Sequence, residues 1–230
     1  MNQDLPAVIV CAGAHRPALN KLPEIIKRYS KSIFVGVDRG AWELIQANYH
    51  LDLAIGDFDS ISLEQMQMIK KQSNKCKIYQ SDKDDTDTEL AFCWIQEYYP
   101  SSDIYVLGGL GQGSNRLDHL IANLYMVYQP RFRTLLKQTQ FIEKDHKIAW
   151  LGSGEHILYP DSNYPEYLSI IAMTPIEGLT IEDAKYNLRP TELFFPRAFI
   201  SNEFISMNQP VKLSLTKGIM MIMWVKEKER

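Results

Sequence analysis

Short apolar runs alternate with helical patterns over the first half of the chain, and this alternation restricts the possible fold more than any other feature. The apolar runs are AVIVCAG (7–13), SIFVGV (32–37), DLAIG (52–56), CKIYQ (76–80) and DIYVLGG (103–109). The helical stretches are LPEIIKRYS (22–30), GAWELIQANY (40–49), SLEQMQMIKKQ (62–72), TDTELAFCWIQEYY (86–99) and LDHLIANLYMVY (117–128). Strands that alternate with helices in this way form a parallel sheet. The sequence therefore predicts a Rossmann-like α/β domain.

The pattern changes at about residue 138, where strand-like segments separated by turn residues replace the helical stretches. The alternation of apolar and polar residues is clearest at Val211, Leu213 and Leu215, just before Gly218. A series of short alternating strands is typical of an antiparallel β-sandwich. We therefore predict two domains, an α/β domain over residues 1–137 and a β-sandwich domain over residues 138–230.

Acidic residues crowd into two short segments, IGDFDS (55–60) and SDKDDTDTE (81–89). Each segment directly follows a predicted strand, and in an open parallel sheet ligands bind outside the carboxyl ends of the strands. The charged residues that follow predicted strands are Asp38 after the second, Asp57 and Asp59 after the third, Asp84 and Asp87 after the fourth, and Arg116 and Asp118 after the fifth. We therefore expect these side chains to meet at one edge of the sheet.

Carboxylates that lie close together repel one another, and a bound cation offsets this repulsion. Two carboxylates about 5 Å apart repel each other by roughly 3 kcal/mol at an effective dielectric constant of 20. Oxygen ligands without nearby thiolate or imidazole suit Mg²⁺ or Ca²⁺, and Mg²⁺ commonly completes its shell with water and substrate phosphates. The alternative is that the aspartates form solvated turns and that Asp87 only complements a helix dipole.

A glycine-rich segment, GGLGQGSNR (108–116), follows the fifth predicted strand. Glycines such as Gly108 and Gly109 expose backbone N–H groups to phosphate, and Arg116 supplies a cation. The segment is neither a Walker A motif nor GxGxxG, so it carries little weight alone. Together with the acidic segments it predicts a site for a metal-bound nucleotide such as Mg²⁺ with ATP.

Net charge, the length of the apolar runs and the cysteine content argue against several other classes of protein. The formal net charge of −3, without a basic tract, argues against a nucleic-acid-binding surface. The apolar run IMMIMWV (219–225) is much shorter than the roughly 18 residues that a membrane span requires. The chain has three cysteines and no CxxC pair, which predicts reduced thiols and a cytoplasmic protein.

Five motifs resemble those of the thiamin pyrophosphokinase family and occur in the same order. They are VDRGA (37–41), DLAIGDFDSI (52–61), DKDDTDTELA (82–91), RLDH (116–119) and SNEF (201–204). The resemblance spans nearly the whole chain. It implies an enzyme that transfers the terminal diphosphate of ATP, as one unit, to the hydroxyl of thiamin, giving thiamin diphosphate and AMP.

The resemblance also implies an assembly and a division of roles. The α/β domain would bind ATP and Mg²⁺, the β-sandwich would bind thiamin, and the protein would be a homodimer with thiamin held where two subunits meet. The implied site residues are Asp57, Asp59, Asp84 and Asp87 for Mg²⁺ and catalysis, Arg116 and Asp118 as further catalytic residues lining the ATP and thiamin sites respectively, Asp38 with Gly108 and Gly109 at the nucleotide edge, and Ser201 and Asn202 facing thiamin.

Three other functions remain open at this stage. A diphosphokinase for another hydroxymethyl heterocycle, such as a pterin, would keep the acidic residues. A Mg²⁺-dependent phosphatase with an aspartyl nucleophile could use DFDSI, although that motif normally ends the first strand. A non-catalytic metal or nucleotide sensor would also fit. Which aspartate accepts the proton of the hydroxyl is likewise left open.

The run IMMIMWV bears on the predicted homodimer. A strand that is apolar on consecutive positions must be covered on both faces. A partner subunit could supply one cover, which would place the dimer contact in the β-rich half. The alternative is that the chain covers both faces of the strand by itself.

Overall fold

The computed structural model describes residues 5–13, 17–80, 82–111 and 117–227. The chain divides into two compact units, residues 1–144 and 145–230. The first unit contains strands β1 (Ala7–Ala12), β2 (Ser32–Val37), β3 (Leu53–Gly56), β4 (Cys76–Ile78), β5 (Ile104–Leu107) and β6 (Thr139–Ile142), and helices α1 (Leu22–Ile26), α2 (Arg39–Gln46), α3 (Leu63–Lys71), α4 (Asp87–Tyr98) and α5 (Leu117–Met126). Short 3-10 turns lie at Leu19–Lys21, Pro130–Phe132 and Leu136–Gln138.

The six strands of the first unit form a parallel sheet in the order β6-β5-β1-β2-β3-β4. The chain therefore runs outward from β1 on one side through β2, β3 and β4, and on the other side through β5 and β6. A crevice forms at the carboxyl ends of the strands where the order reverses, and ligands of open α/β sheets bind there.

The centre of this sheet is buried because helices cover both of its faces. Every residue of β1 is buried, as expected for a central parallel strand. Helix α2 packs very closely against the end of β1, since a Cβ atom on Gly40 would lie 2.0 Å from the carbonyl oxygen of Cys11. This close approach fixes the start of α2 and the residue before it, Asp38.

The second unit is an antiparallel β-sandwich. Its strands are β7 (His146–Leu151), β8 (Gly154–Leu158), β9 (Tyr167–Ala172), β10 (Ile176–Glu182), β11 (Leu188–Leu193), β12 (Arg197–Asn202), β13 (Val211–Leu215) and β14 (Met220–Val225). One sheet has the order β12-β9-β14-β7 and the other β11-β10-β13-β8. Alternate residues of facing strands, such as Leu213 and Ile222, form the core. The predicted fold class, a Rossmann-like α/β domain with a β-sandwich, is confirmed.

The sequence pattern misplaced or missed three strands. Segment 139–142 reads as the start of the β-rich half, but it is β6 and pairs in parallel with β5. Strands β11 and β12 were not predicted, and both lie at a sheet edge. Pro190 interrupts the strand pattern in β11, and proline is tolerated in strands at such edges.

Strand β14 is the run IMMIMWV without its first residue, and the chain itself buries it. Met220, Ile222 and Trp224 belong to the sandwich core, and on the opposite face Met221 is 5% exposed while Met223 and Val225 are partly buried. Since the chain covers the inner face and much of the outer one, the apolar run does not by itself require a partner subunit. None of the helices among the described residues has both the length and the apolar character that a membrane crossing demands.

Candidate active site

The carboxyl ends of the parallel strands surround a cleft of about 460 Å³ in the first unit. Seven of the residues predicted from the sequence line it: Asp38, Asp57, Asp59, Asp84, Asp87, Gly108 and Gly109. The cleft thus brings together residues that come from four separate strand–helix connections. Lys83, His119 and Asn123 also line it, and the sequence analysis assigned no role to them.

Three of these carboxylates form a tight group, which we call the aspartate triad: Asp38, Asp57 and Asp87. One carboxylate oxygen from each lies within 4.8 Å of those of the other two. Burial raises the pKa of Asp38 to about 7, and the charges of Asp87 and Asp57 add to the rise, while the N–H of Phe58 opposes it. Burial, reinforced by the charges of Asp87 and Asp57, therefore disfavours the ionised form of Asp38.

An unusual backbone conformation aims Asp38 into the cleft. Its φ is +47°, a value that residues other than glycine seldom adopt, and its N–H donates to the carbonyl of Ile55 at 3.0 Å. Its side chain then passes over Gly56, where a Cβ atom would lie 1.8 Å from the Asp38 Oδ1 atom. Gly56 therefore makes room for the carboxylate that the triad needs.

The DFD segment after β3 turns tightly around Phe58. This residue has φ +57° and is 6% exposed, so its ring anchors the segment while the flanking aspartates line the cleft. The N–H of Phe58 donates to Asp38 Oδ1 at 3.3 Å, and the N–H of Asp59 donates to Asp57 Oδ1 at 3.1 Å. The Asp59 side chain is exposed and lies outside the triad.

The second acidic segment is held by the start of α4. Thr86 and Glu89 form a capping box, with hydrogen bonds of 3.2 Å and 2.7 Å. This cap places Asp87 at the first position of α4, directed into the cleft. Asp85 also lines the cleft, and it accepts two hydrogen bonds from Arg131, at 2.7 and 3.0 Å, which hold the pKa of Asp85 below its usual range. Asp84 lines the cleft, is exposed and lies outside the triad.

A buried carboxylate fixes the turn of residues 108–111 after β5, which we call the glycine turn. The N–H of Leu110 donates to Glu143 Oε1 at 3.0 Å, and the N–H of Gly108 also stabilises the ionised side chain. Glu143 is 2% exposed, and burial raises its pKa to about 7. The carbonyl of Gly109 accepts a hydrogen bond of 2.6 Å from Asn123 on α5. The turn is therefore held on two sides. Glu143 can be recognised as part of the site only when β6 is known to belong to the parallel sheet.

The remaining predicted residues are not all brought into the cleft. Arg116 lies outside the described residues. Asp118, in the first turn of α5, is exposed and does not line the cleft, whereas its neighbour His119 does. Ser201 and Asn202 lie in the second unit, at the end of β12.

Asn202 is buried, and its side chain bonds to the backbone. Its Oδ1 atom accepts from the N–H groups of Tyr186 and Glu203 at 3.0 and 2.9 Å, and its Nδ2 atom donates to the carbonyl of Tyr186 at 2.9 Å. Ser201 beside it is exposed, with φ +59°. The Asn202 amide thus fixes the segment that presents Ser201 to solvent.

Family models and a known relative all match this chain to the same protein family. Residues 27–137 match the family model described as thiamin pyrophosphokinase, catalytic domain, and residues 155–220 match thiamin pyrophosphokinase, vitamin B1 binding domain. A thiamine pyrophosphokinase from Bacillus subtilis is 32% identical over 193 residues, which are 83% of this chain and 86% of that protein.

Solved structures agree with this family. A thiamin pyrophosphokinase family protein from Enterococcus faecalis superposes with a TM-score of 0.84 at 31% identity, covering 96% of this chain and all of that one. The thiamine pyrophosphokinase of B. subtilis gives a TM-score of 0.81 at 28% identity, with the same coverage. The matches favour neither a pterin diphosphokinase nor an aspartyl phosphatase. By sequence and by fold, the chain belongs to the thiamin pyrophosphokinase family.

Proposed function

We propose that the cleft of the first unit binds ATP with Mg²⁺ for the transfer of diphosphate to thiamin, and that the aspartate triad holds the metal. The observation that carries this proposal is the convergence of Asp38, Asp57 and Asp87 at the carboxyl edge of the sheet. The sequence suggested Asp57, Asp59, Asp84 and Asp87 as ligands, and the geometry favours Asp38 over Asp59 and Asp84. These two remain proposed site residues at the wall of the cleft.

The triad fits Mg²⁺ by its chemistry. It offers only carboxylate oxygens, which hard cations prefer, and the charges of Asp87 and Asp57 add to the rise that burial causes in the pKa of Asp38, so a cation would relieve their repulsion. When bound, Mg²⁺ neutralises and aligns the phosphate oxygens, which phosphoryl transfer needs more than it needs a strong base. The protein orients the carboxylates: Gly56 leaves room for the side chain of Asp38, and the capping box holds Asp87 at the start of α4.

We propose that the glycine turn binds phosphate. Gly108 and Gly109 line the cleft, and no side chain at these positions separates the backbone from a ligand. Glu143 and Asn123 hold the turn from behind, so its shape is set before the nucleotide arrives. Arg116 remains the proposed cation for this end of the site, and Asp118 a proposed catalytic and thiamin-binding residue.

For thiamin we propose the segment around Ser201 in the second unit. Short polar side chains suit hydrogen bonds to a heterocycle, and Ser201 is free to make them because it is exposed at the edge strand β12. The bonds of Asn202 to the backbone favour a positioning role for this residue rather than direct contact. We also propose that the protein works in the cytoplasm, where its three free cysteines would stay reduced.

We propose a homodimer whose contact includes the β11–β12 region. Phe194, Phe195 and Ile200 are 81%, 66% and 70% exposed, and Ile200 lies on an edge strand. Exposed aromatic and aliphatic groups of this size are typical of surfaces that bind another protein. Sedimentation velocity at micromolar concentration should show a dimer for the wild type and a monomer for Phe194→Asp. Leu63→Asp, at an exposed apolar position in the first unit, is the matched control and should stay dimeric.

The activity is tested by the identity of the nucleotide product. The protein is incubated with ATP and Mg²⁺, with and without thiamin, and the nucleotides are separated by anion exchange. We expect AMP to form only with thiamin. Asp38→Asn should abolish its formation, whereas Asp82→Asn, a neutralised carboxylate exposed in the same acidic segment, should not. ADP as the main product would overturn the proposal.

A further inference from the structure

A lysine lies inside the acidic segment and points into the aspartate triad. Lys83 Nζ is 2.7 Å from Asp87 Oδ1, and the two side chains are only 17% and 15% exposed. Both atoms are shielded from solvent, and among the described residues neither has a hydrogen bond of normal geometry. The contact is therefore an ion pair held by charge and burial rather than by a directed hydrogen bond.

The charge of Lys83 reaches beyond Asp87. It also opposes the repulsion on Asp38, where the other charged neighbours are the two remaining carboxylates of the triad. One ammonium thus partly balances at least two of the triad carboxylates, Asp87 and Asp38. The triad needs this positive charge most when no metal is bound, because a metal would supply two charges at the same place.

The pair also competes with metal binding. Asp87 cannot give its full charge to a cation while an ammonium contacts it at 2.7 Å. Lysine is suited to exchange partners, since its ammonium is a compact charge with three donors on a flexible stem, and it commonly binds phosphate. Lys83 lines the same cleft as the glycine turn.

We propose that Lys83 is the resident counter-cation of the aspartate triad: it balances Asp87 while no metal is bound, and its ammonium moves to the phosphate oxygens when Mg²⁺ and ATP bind. This inference rests on the metal site of the proposed function. It makes Lys83 a substrate-binding residue that lowers the affinity for free metal and raises the affinity for nucleotide.

Two binding measurements on Lys83→Met test whether the substitution raises the affinity for free metal and lowers the affinity for nucleotide. In the first, Mn²⁺ stands in for Mg²⁺ and is titrated without nucleotide, and free Mn²⁺ is read by electron paramagnetic resonance. We expect Lys83→Met to bind Mn²⁺ roughly tenfold more tightly than the wild type. In the second, a non-hydrolysable ATP analogue is titrated at saturating Mg²⁺, and we expect roughly tenfold weaker binding.

The controls separate this role from a structural one. Lys77→Met removes a positive charge from an exposed position on β4 and should leave both affinities unchanged. Lys83→Arg should recover most of the affinity for the analogue. If Lys83→Met melts early, Lys83→Gln provides a second neutral variant. Unchanged or weaker Mn²⁺ binding by a folded neutral variant would overturn the role of Lys83 and leave the metal site standing. Failure of both wild type and variant to bind Mn²⁺ would overturn both proposals.

Discussion

Replacing Glu143 by glutamine should stabilise the protein at alkaline pH and have little effect at acidic pH. Glu143 is 2% exposed, and its pKa rises from 4.5 to about 7, chiefly because burial disfavours the charged form. A glutamine keeps a carbonyl oxygen for the N–H of Leu110 and cannot ionise. The substitution therefore removes the cost of a buried charge while preserving the hydrogen bond from the N–H of Leu110.

The magnitude follows from proton linkage. Between pH 4.5 and about 7 the folded protein holds a proton on Glu143 that the unfolded chain has lost, so wild-type stability falls as the pH rises through this window. A difference of roughly 2.5 pKa units corresponds to about 3 kcal/mol. Relative to the wild type, Glu143→Gln should therefore gain about 3 kcal/mol of unfolding free energy between pH 5 and pH 8.5.

Urea unfolding at a series of pH values measures this difference directly. Glu64→Gln, at an exposed position in the first turn of α3, is the matched control and should track the wild type at every pH. A stability difference between Glu143→Gln and wild type that does not change with pH would refute the reasoning. So would a difference that grows toward acidic pH, because it would mean that Glu143 is stabilised in its charged form.

Three further predictions concern the two units. Asp57→Asn should lower kcat roughly 100-fold or more with little loss of melting temperature, because it removes one carboxylate of the triad; near wild-type turnover would count against the metal assignment. Gly56→Ala should weaken Mn²⁺ binding, since its Cβ would lie 1.8 Å from a triad oxygen, whereas Gly13→Ala, at φ +46° and with no described atom within 4 Å of the added Cβ, controls for backbone strain. Asn202→Ala should cost about 1–3 kcal/mol of stability and raise the KM for thiamin while sparing that for ATP; an unchanged thiamin KM would exclude this segment from the thiamin site.

The parallel sheet could be predicted from the sequence because its strands are short, continuous apolar runs. The rule that ligands bind at the carboxyl ends of such strands then located the cleft without knowledge of any contact. The capping box at Thr86 and Glu89 was equally visible, since both partners lie within one helical turn. These features depend on local patterns, which the sequence shows directly.

The membership of the triad depends on contacts that the sequence does not show. Asp38 joins it because of a positive φ and because Gly56 leaves space for its carboxylate. Asp85 lies outside the triad, and its carboxylate is paired with Arg131, 46 residues later in the chain. Neither contact can be read from the local sequence pattern. The sequence therefore could not show which of the neighbouring aspartates belong to the triad.

Glu143 was missed for a different reason. It directly follows β6, at the carboxyl end of a parallel strand, but the strand pattern assigned that segment to the β-rich half. Helix α5 shows the reverse case: its apolar residues recur at helical spacing, yet Leu117 and Ile121 are 66% and 47% exposed. Periodicity identifies an apolar face, but it does not identify what covers that face.

The position of the metal tests the central claim most directly. Crystals grown with Mn²⁺ and a non-hydrolysable ATP analogue would show the metal by its anomalous scattering. We predict a peak within coordination distance of carboxylate oxygens from Asp38, Asp57 and Asp87, with the phosphates of the analogue against Gly108 and Gly109. A metal bound only through Asp59 and Asp84, or a nucleotide bound outside this cleft, would contradict the account.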